Sequence, residues 1–210
     1  PGHTIHNATG PVSPVVLSSP HSGGVYPHAF VNASKLCPLT LRKSEDTYVD
    51  ELFASAPKLG APLIAARFPR AFIDVNREPF ELDPELFRDA LPTYANTRSA
   101  RVVGGLGTIA RIVADAHEIY REPLSLSAGL ERIKRLYRPY HNALEGLISR
   151  AVNRSGFAVL IDCHSMPSAC TGTHPGKRPD IVLGDRFGCS CDRALTGLPD
   201  AMLRDLGFEV

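Results

Sequence analysis

Short apolar runs closed by turn-forming residues recur along the chain. Val15-Val16-Leu17-Ser18-Ser19 is apolar and β-branched at its start, and Pro20, Gly23, Gly24 and Pro27 stop it, which predicts a buried strand ending in a loop. Leu63 to Ala66 and Phe72 to Val75 read as strands, Phe157-Ala158-Val159-Leu160-Ile161 as the clearest buried strand, and Asp180-Ile181-Val182-Leu183-Gly184 as another. Tyr48, Val49, Leu52, Phe53 and Ala56 follow at helical spacing and predict an amphipathic helix that ends near Gly60. A longer helix is expected over residues 128–152, with Leu130, Ile133, Leu136, Tyr137, Tyr140, Leu144, Leu147 and Ile148 on its inner side. Pro139 should kink it or start a new helix. Residues 193–206 read as helix, and Phe208-Glu209-Val210 opens a further strand. Continuous apolar strands alternating with helices predict an α/β layer architecture with a mainly parallel sheet. A strand opening at the last residues predicts that residues 1–210 are a single domain cut short at its C-terminus.

Composition narrows the function classes. With 210 residues and 43% hydrophobic content the chain can build a real core, which argues against disorder. Its apolar runs fall far short of the roughly 20 residues that cross a bilayer. Lys and Arg number 23 against 22 Asp and Glu, a net charge of +1, so there is no electrostatic case for nucleic acid or an anionic membrane as partner. Five cysteines without paired CxxC motifs argue against a disulfide framework or a structural zinc module and fit a reducing, cytoplasmic setting. Nothing in the pattern speaks to oligomeric state.

Candidate chemistry gathers where predicted strands end. Ser19-Pro20-His21-Ser22-Gly23-Gly24 follows the first strand, and Asp162-Cys163-His164-Ser165 follows the clearest one. Ligands of open α/β sheets sit beyond the carboxyl ends of the strands, so His21 and His164 are expected to face one crevice. Two imidazoles there suggest a metal, and a catalytic zinc adds a carboxylate and an open water position. Glu45 and Asp46, at the start of the amphipathic helix, are the candidate carboxylates, although either would also complement a helix N-terminus. Asp74, Asn76 and Arg77 close another strand, where an arginine can grip a carboxylate bidentately or pair with the neighbouring Glu78, Glu81 or Asp83. A rival reading makes Cys163 a nucleophile beside His164, against which adjacent side chains at a strand end point opposite ways. Cys189 and Cys191 form a lone CxC, for which free thiols are the plainer account.

Five motifs in order carry a more specific signal. Ser19-Pro20-His21-Ser22-Gly23, Ser44-Glu45-Asp46 followed by Val49-Asp50-Glu51-Leu52, Asp74-Val75-Asn76-Arg77, Pro139-Tyr140-His141 and Asp162-Cys163-His164-Ser165 together resemble the N-formylglutamate amidohydrolase family, from about the first strand to the end of the chain. That resemblance implies a zinc-carboxypeptidase-like, phosphorylase/hydrolase-like fold: a three-layer α/β/α domain with a mixed, mainly parallel central sheet. It implies a cytoplasmic zinc hydrolase of amino-acid metabolism acting on a small N-acyl amino acid. N-formyl-L-glutamate, from histidine catabolism, is the leading substrate; formyl, acetyl and larger acyl groups differ only in pocket shape. His21 and His164 become zinc ligands. Related carboxypeptidases and aspartoacylases place a Glu three residues after the first His, where this chain has Gly24, so the resemblance turns to Asp46 first and Glu45 second. Asn76 and Arg77 would hold a substrate carboxylate with Asp74 orienting Arg77, and His141 would serve as orienter or proton carrier. Arg111 and Arg121 are possible second carboxylate contacts. The family's glutamate general base lies in a later segment that no residue here matches, Glu209 included. A non-catalytic protein binding a small carboxylate is the alternative.

Overall fold

The computed structural model of the chain describes residues 2–11, 13–168 and 178–210. They fall into two compact units, Pro1–Ser165 and Met166–Val210. Along the first run β1 (His3–His6), β2 (Val15–Ser19), the short helices α1 (His28–Ala33), α2 (Pro38–Arg42) and α3 (Val49–Leu52), and β3 (Leu63–Ala66). Then come the single turn α4 (Ala100–Val103), the short paired strands β4 (Ile112–Val113) and β5 (His117–Glu118), α5 (Leu126–Arg132), α6 (Arg138–Ser155) and β6 (Val159–Asp162). The second unit holds α7 (Arg193–Asp205), whose N-cap Asp192 accepts the Ala194 N–H.

The central sheet is mixed, in the order β1-β3-β2-β6. β1 runs antiparallel to β3, while β2 is parallel to both β3 and β6. Side chains alternate across a strand, and here both faces are packed. Val16, Ile64 and Ala66 join Phe30, Ile73, Ile109, Ile119, Tyr140 and Leu147 in the main core. Leu17 and Leu63 point the other way and pack with Val49, Ala61 and Cys163. This two-sided burial is why β2 and β3 read as unbroken apolar runs in the sequence.

Three expectations change on the structure. The helix expected over residues 48–56 shrinks to the single turn α3. It starts only after Tyr48, which sits in the left-handed region at φ +67°, and Pro57 without an N–H prevents continuation. A 3-10 turn, Ala56–Leu59, follows, and Gly60 then turns at φ +90°, where a Cβ would stand 1.5 Å from the Pro11 carbonyl oxygen. Phe72 to Val75 is buried but is no strand: the Phe72 and Ile73 N–H groups both bond the Pro69 carbonyl, and Asp74 N–H bonds Thr108 O at 2.7 Å. Apolar character there reports burial of a loop. In the second unit neither residues 180–184 nor 208–210 form a strand; Asp180 and Ile181 donate to Glu209 O instead.

The long helix is present, and Pro139 is accommodated without a break. α5 and α6 are joined by a π-helical stretch, Ile133–Tyr137, just before the proline. Pro139 removes one N–H and crowds the carbonyl of Arg135, and a wider turn relieves both. Ile64 is fully buried at the centre of the sheet. Its truncation, Ile64→Ala, should lower unfolding free energy by about 2–5 kcal/mol, measured by urea denaturation followed by circular dichroism.

Candidate active site

Parallel pairing of β2 with β6 aligns Ser18 with Asp162, so His21 and His164 emerge beyond the same end of adjacent strands. Ser18 Oγ donates to Asp162 Oδ1 at 2.9 Å and lies 3.0 Å from the Tyr140 hydroxyl of α6. The loop after β2 hugs β3: a Cβ on Gly23 would come within 2.3 Å of Phe68 O, so only glycine permits this close approach. The Asp46 N–H donates to His21 O at 3.0 Å, which ties the acidic segment before α3 to the first histidine.

One ligand atom each from His21, Asp46 and His164 lie within 4.8 Å of one another, and His21 and Asp46 are buried. His21 Nε2 donates to Asp74 Oδ1 at 2.7 Å, which leaves Nδ1 of a neutral ring with its lone pair. That atom is buried without a hydrogen-bond partner and faces Asp46 Oδ2 at 3.5 Å. Two acceptors held so close in a buried place fit a cation between them. His164 Nδ1 donates to Asp46 Oδ2 and Nε2 to Asp162 Oδ2, both at 2.8 Å. Burial opposes its charge, but the bonds to Asp162 and Asp46 prevail and raise its pKa to about 9. A bound metal ion would take the place of one of those protons. Burial likewise works to raise the Asp46 pKa, and the bonds and charges of His164 and His21 hold it well below the ordinary carboxylate range. The donor set, two imidazoles and one carboxylate, suits zinc. Glu45, by contrast, is turned to Arg42, whose Nη2 lies 3.1 Å from its Oε2, and stands outside the cluster.

Asp74 connects this cluster to a second feature. Its Oδ1 accepts from His21 Nε2 and from the Asn76 N–H at 2.8 Å, and its Oδ2 accepts from Arg70 Nη2 at 2.9 Å. Arg77 Nη2 is only a 3.9 Å neighbour, so Asp74 orients His21 and Arg70 at contact distance and Arg77 at longer range. Desolvation of the buried carboxyl is overcome by the His21 bond and the charges of His21, Arg70 and Arg77, and Asp74 stays ionised well below the usual range.

The backbone of residues 75–77 is held from three sides. His141 Nε2 donates to Val75 O at 2.8 Å, Arg77 Nη1 to Asn76 O at 2.9 Å, and the Tyr137 hydroxyl to Arg77 O at 2.7 Å. The His141 ring lies 4.3 Å from that of Tyr137 and is tilted 31° to it. The contact of Tyr137 with this segment was hidden in the sequence pattern, because helical spacing assigns it to the core; its four-residue offset from His141 was the available signal. Asn76 Nδ2 reaches His164 Nε2 at 3.0 Å, which brings the Asn-Arg pair to the edge of the cluster. Arg77 Nε bonds Leu106 O at 3.1 Å. Its guanidinium is therefore held by two carbonyls, with Asp74 Oδ2 at 3.9 Å beside it.

Arg111 and Arg121 are engaged elsewhere. Arg111 is bound by Asp83 at 2.7 Å and Glu85 at 3.0 Å, with Glu118 at 3.7 Å, and Arg121 Nε donates to Ser34 O. Cys163 is 3% exposed, packs under the sheet, and donates to Ile161 O at 3.7 Å. Burial first, and then the charge of Asp162, push its thiol pKa up to about 12, which is the opposite of what a nucleophile requires. Among the described residues Cys37, Cys163, Cys189 and Cys191 are free thiols, and no helix is long and apolar enough to cross a membrane.

The chain is similar to known proteins over most of its length. A sequence profile described as N-formylglutamate amidohydrolase matches residues 13–210. N-formylglutamate deformylase of Pseudomonas putida is 30% identical over 189 residues, which cover 87% of this chain and 62% of that protein. The same-named protein of Pseudomonas aeruginosa is 29% identical over 192 residues, 90% of this chain and 65% of that one. The chain thus spans less than two thirds of these curated relatives. The crystal structure of N-formylglutamate amidohydrolase from Ralstonia eutropha JMP134 superposes with a TM-score of 0.91 at 36% identity, over 100% of this chain and 75% of that one. A gene product of Agrobacterium tumefaciens, at TM-score 0.56 and 16% identity, shares the fold.

The thiol geometry is directly testable. At pH 8 a group with a pKa near 12 is thiolate in only about one part in ten thousand. A disulfide reagent should therefore modify the exposed Cys37 and Cys189 first and leave Cys163 untouched until urea is added, as read by peptide mass spectrometry.

Proposed function

The chain belongs to the N-formylglutamate amidohydrolase family, and from that premise we propose that it is a zinc-dependent amidohydrolase that splits an N-acyl amino acid. N-formyl-L-glutamate, cleaved with one water to formate and L-glutamate, is the substrate we put first. One observation carries the reading: the unpartnered Nδ1 of buried His21 faces Asp46 Oδ2 at 3.5 Å, with His164 beside both. The names of the deformylases of the two Pseudomonas species support the substrate. We read the mixed sheet as part of a three-layer, zinc-carboxypeptidase-like domain, since both histidines leave its parallel strands at one end. The free thiols suit a reducing cytoplasm, and the products suit amino-acid breakdown.

His21, Asp46 and His164 would hold the metal. When bound, zinc supplies a Lewis acid for the acyl oxygen and lowers the pKa of its water towards about 7. The remaining work falls to side chains of this chain. Asp74 fixes the His21 ring through Nε2, so that Nδ1 is aimed at the cluster. Arg77 and Asn76 hold the substrate carboxylate. Arg77 is half-buried and pre-positioned by Leu106 O and Asn76 O, so binding an anion orders little further. Tyr137 and His141 keep the segment rigid, and its distance from the cluster sets where the acyl amide lies.

Freshly purified protein should contain about one zinc per chain, and His21→Ala and Asp46→Ala should each lose it, as read by atomic emission. Formate release from N-formyl-L-glutamate should stop in both variants. Undiminished turnover after complete removal of zinc would sink the mechanism. Arg77→Gln should retain zinc yet lose about 10- to 100-fold in kcat/KM, the scale of one charge-assisted hydrogen bond.

A further inference from the structure

Asp74 holds the ring of His21, and the proposed zinc site needs a counterpart for His164. That ring has a carboxylate at each nitrogen: Asp46 Oδ2 accepts from Nδ1 and Asp162 Oδ2 from Nε2, both at 2.8 Å. A metal ion can replace the proton at only one of them. The surroundings of the two nitrogens decide which. Nδ1 meets Asp46 Oδ2, the same oxygen that lies 3.5 Å from the unpartnered Nδ1 of His21, and the two rings lie 4.8 Å apart. Nε2, on the other side of the ring, meets Asp162 Oδ2 and, at 3.0 Å, Asn76 Nδ2. A lone pair on Nε2 would accept from the Asn76 amide but press against the Asp162 oxygen. An N–H there suits Asp162 and leaves the Asn76 amide free for a substrate carboxylate.

Asp162 is itself fixed. It ends β6 in register with Ser18 of β2, and Ser18 Oγ donates to its other oxygen, Oδ1, at 2.9 Å. Ser18 is buried, and its hydroxyl lies 3.0 Å from that of Tyr140, a fully buried residue of α6. The Asp162 side chain is 36% exposed, against 5% for Asp74. Packing alone therefore does not hold this carboxylate, and the bond from Ser18 does. A carboxylate so anchored behind a histidine fixes which ring nitrogen carries the proton and which is offered to a metal.

We propose that Asp162 is the positioning residue of His164: backed by Ser18 and Tyr140, it keeps the proton on Nε2 and so presents Nδ1 to a zinc ion shared with His21 and Asp46. This role rests on the zinc site of the proposed function and not on its substrate.

Two readouts independent of turnover test it on the whole chain: zinc affinity, by competition with a chromophoric chelator, and the nitrogen-15 spectrum of the zinc-loaded histidine rings. Wild type should show His164 protonated at Nε2 alone. Asp162→Ala should bind zinc about 10- to 100-fold more weakly and lose that single ring form, with its circular dichroism unchanged. Asp162→Asn, which keeps a neutral acceptor oxygen, should recover part of the affinity. The role is overturned if Asp162→Ala keeps wild-type affinity or an unchanged His164 ring spectrum. Should the alanine chain not fold, the isosteric Asp162→Asn decides, and wild-type affinity there overturns the role as well. Zinc lost from His21→Ala but held at full strength by Asp162→Ala defeats only Asp162. Zinc binding that depends on Asp162, without formate release from N-formyl-L-glutamate, defeats only the hydrolase reading, and a wild type that takes up no zinc defeats both.

Discussion

The pairing of β2 with β6 is the constraint on which the site depends. Side chains alternate with a period of two, so a slip of one residue would turn Ser18 and Asp162 to the wrong faces and carry His21 and His164 out of alignment. The register is held from the core: Tyr140 of α6 is fully buried and touches Ser18 Oγ, Ser18 bonds Asp162, and Asp162 bonds His164. Loss of Tyr140 or Asp162 would each take a partner from the buried Ser18 hydroxyl. The packing of one helix on one sheet face therefore reaches the imidazole through three side chains.

Asp74 performs the corresponding task for the rest of the site. Its two oxygens receive His21, Arg70 and the Asn76 N–H, so a single buried carboxylate sets the ring that faces Asp46 and the backbone that presents Asn76 and Arg77. Burying that charge is costly in isolation and tolerable only because every donor points at it. The consequence is a fixed distance between the imidazole cluster and the arginine. A loop could not supply this alone, and here Tyr137 and His141 brace it from a helix whose wider turn places both beside the Val75–Arg77 backbone.

Sequence patterns encode burial and period, and legibility divides along that line. β2 and β3 were legible because burial on both faces leaves an unbroken apolar run. Phe157 to Ile161, expected as the clearest buried strand, does contain β6 but leaves Phe157, Leu160 and Ile161 exposed, and α7 buries none of its residues, so there the run and the period located an element without reporting burial. Residues 72–75 misled because a buried loop and a buried strand are equally apolar, and only the Pro69 turn bonds distinguish them. The convergence of His21 and His164 was legible from topology, since each follows a strand of one sheet, whereas Asp74, Asn76 and Arg77 were expected to close a strand and instead lie on a loop. The partner of Asp74 was not legible: whether it faces Arg77 or His21 depends on a contact between residues 53 positions apart. The choice between Glu45 and Asp46 turned on adjacent side chains diverging, Glu45 to Arg42 and Asp46 to the imidazoles.

The charge distribution gives these separate observations one sense. Asp46, Asp74 and Asp162 surround His21 and His164, so the acidic pole is already answered by imidazole and would be fully answered by a metal ion. Of the two arginines at the other pole, Arg70 bonds Asp74 at 2.9 Å, while Arg77 stands 3.9 Å from that carboxylate and is held mainly by carbonyls. The site is balanced at the end where bond cleavage is proposed and left positive at the end where an anion would dock. An acyl amino acid has that same asymmetry, a neutral amide at one end and carboxylate at the other. It would therefore be drawn in with its carboxylate towards Arg77 and its amide towards His21, and the reversed orientation would set an anion against three aspartates.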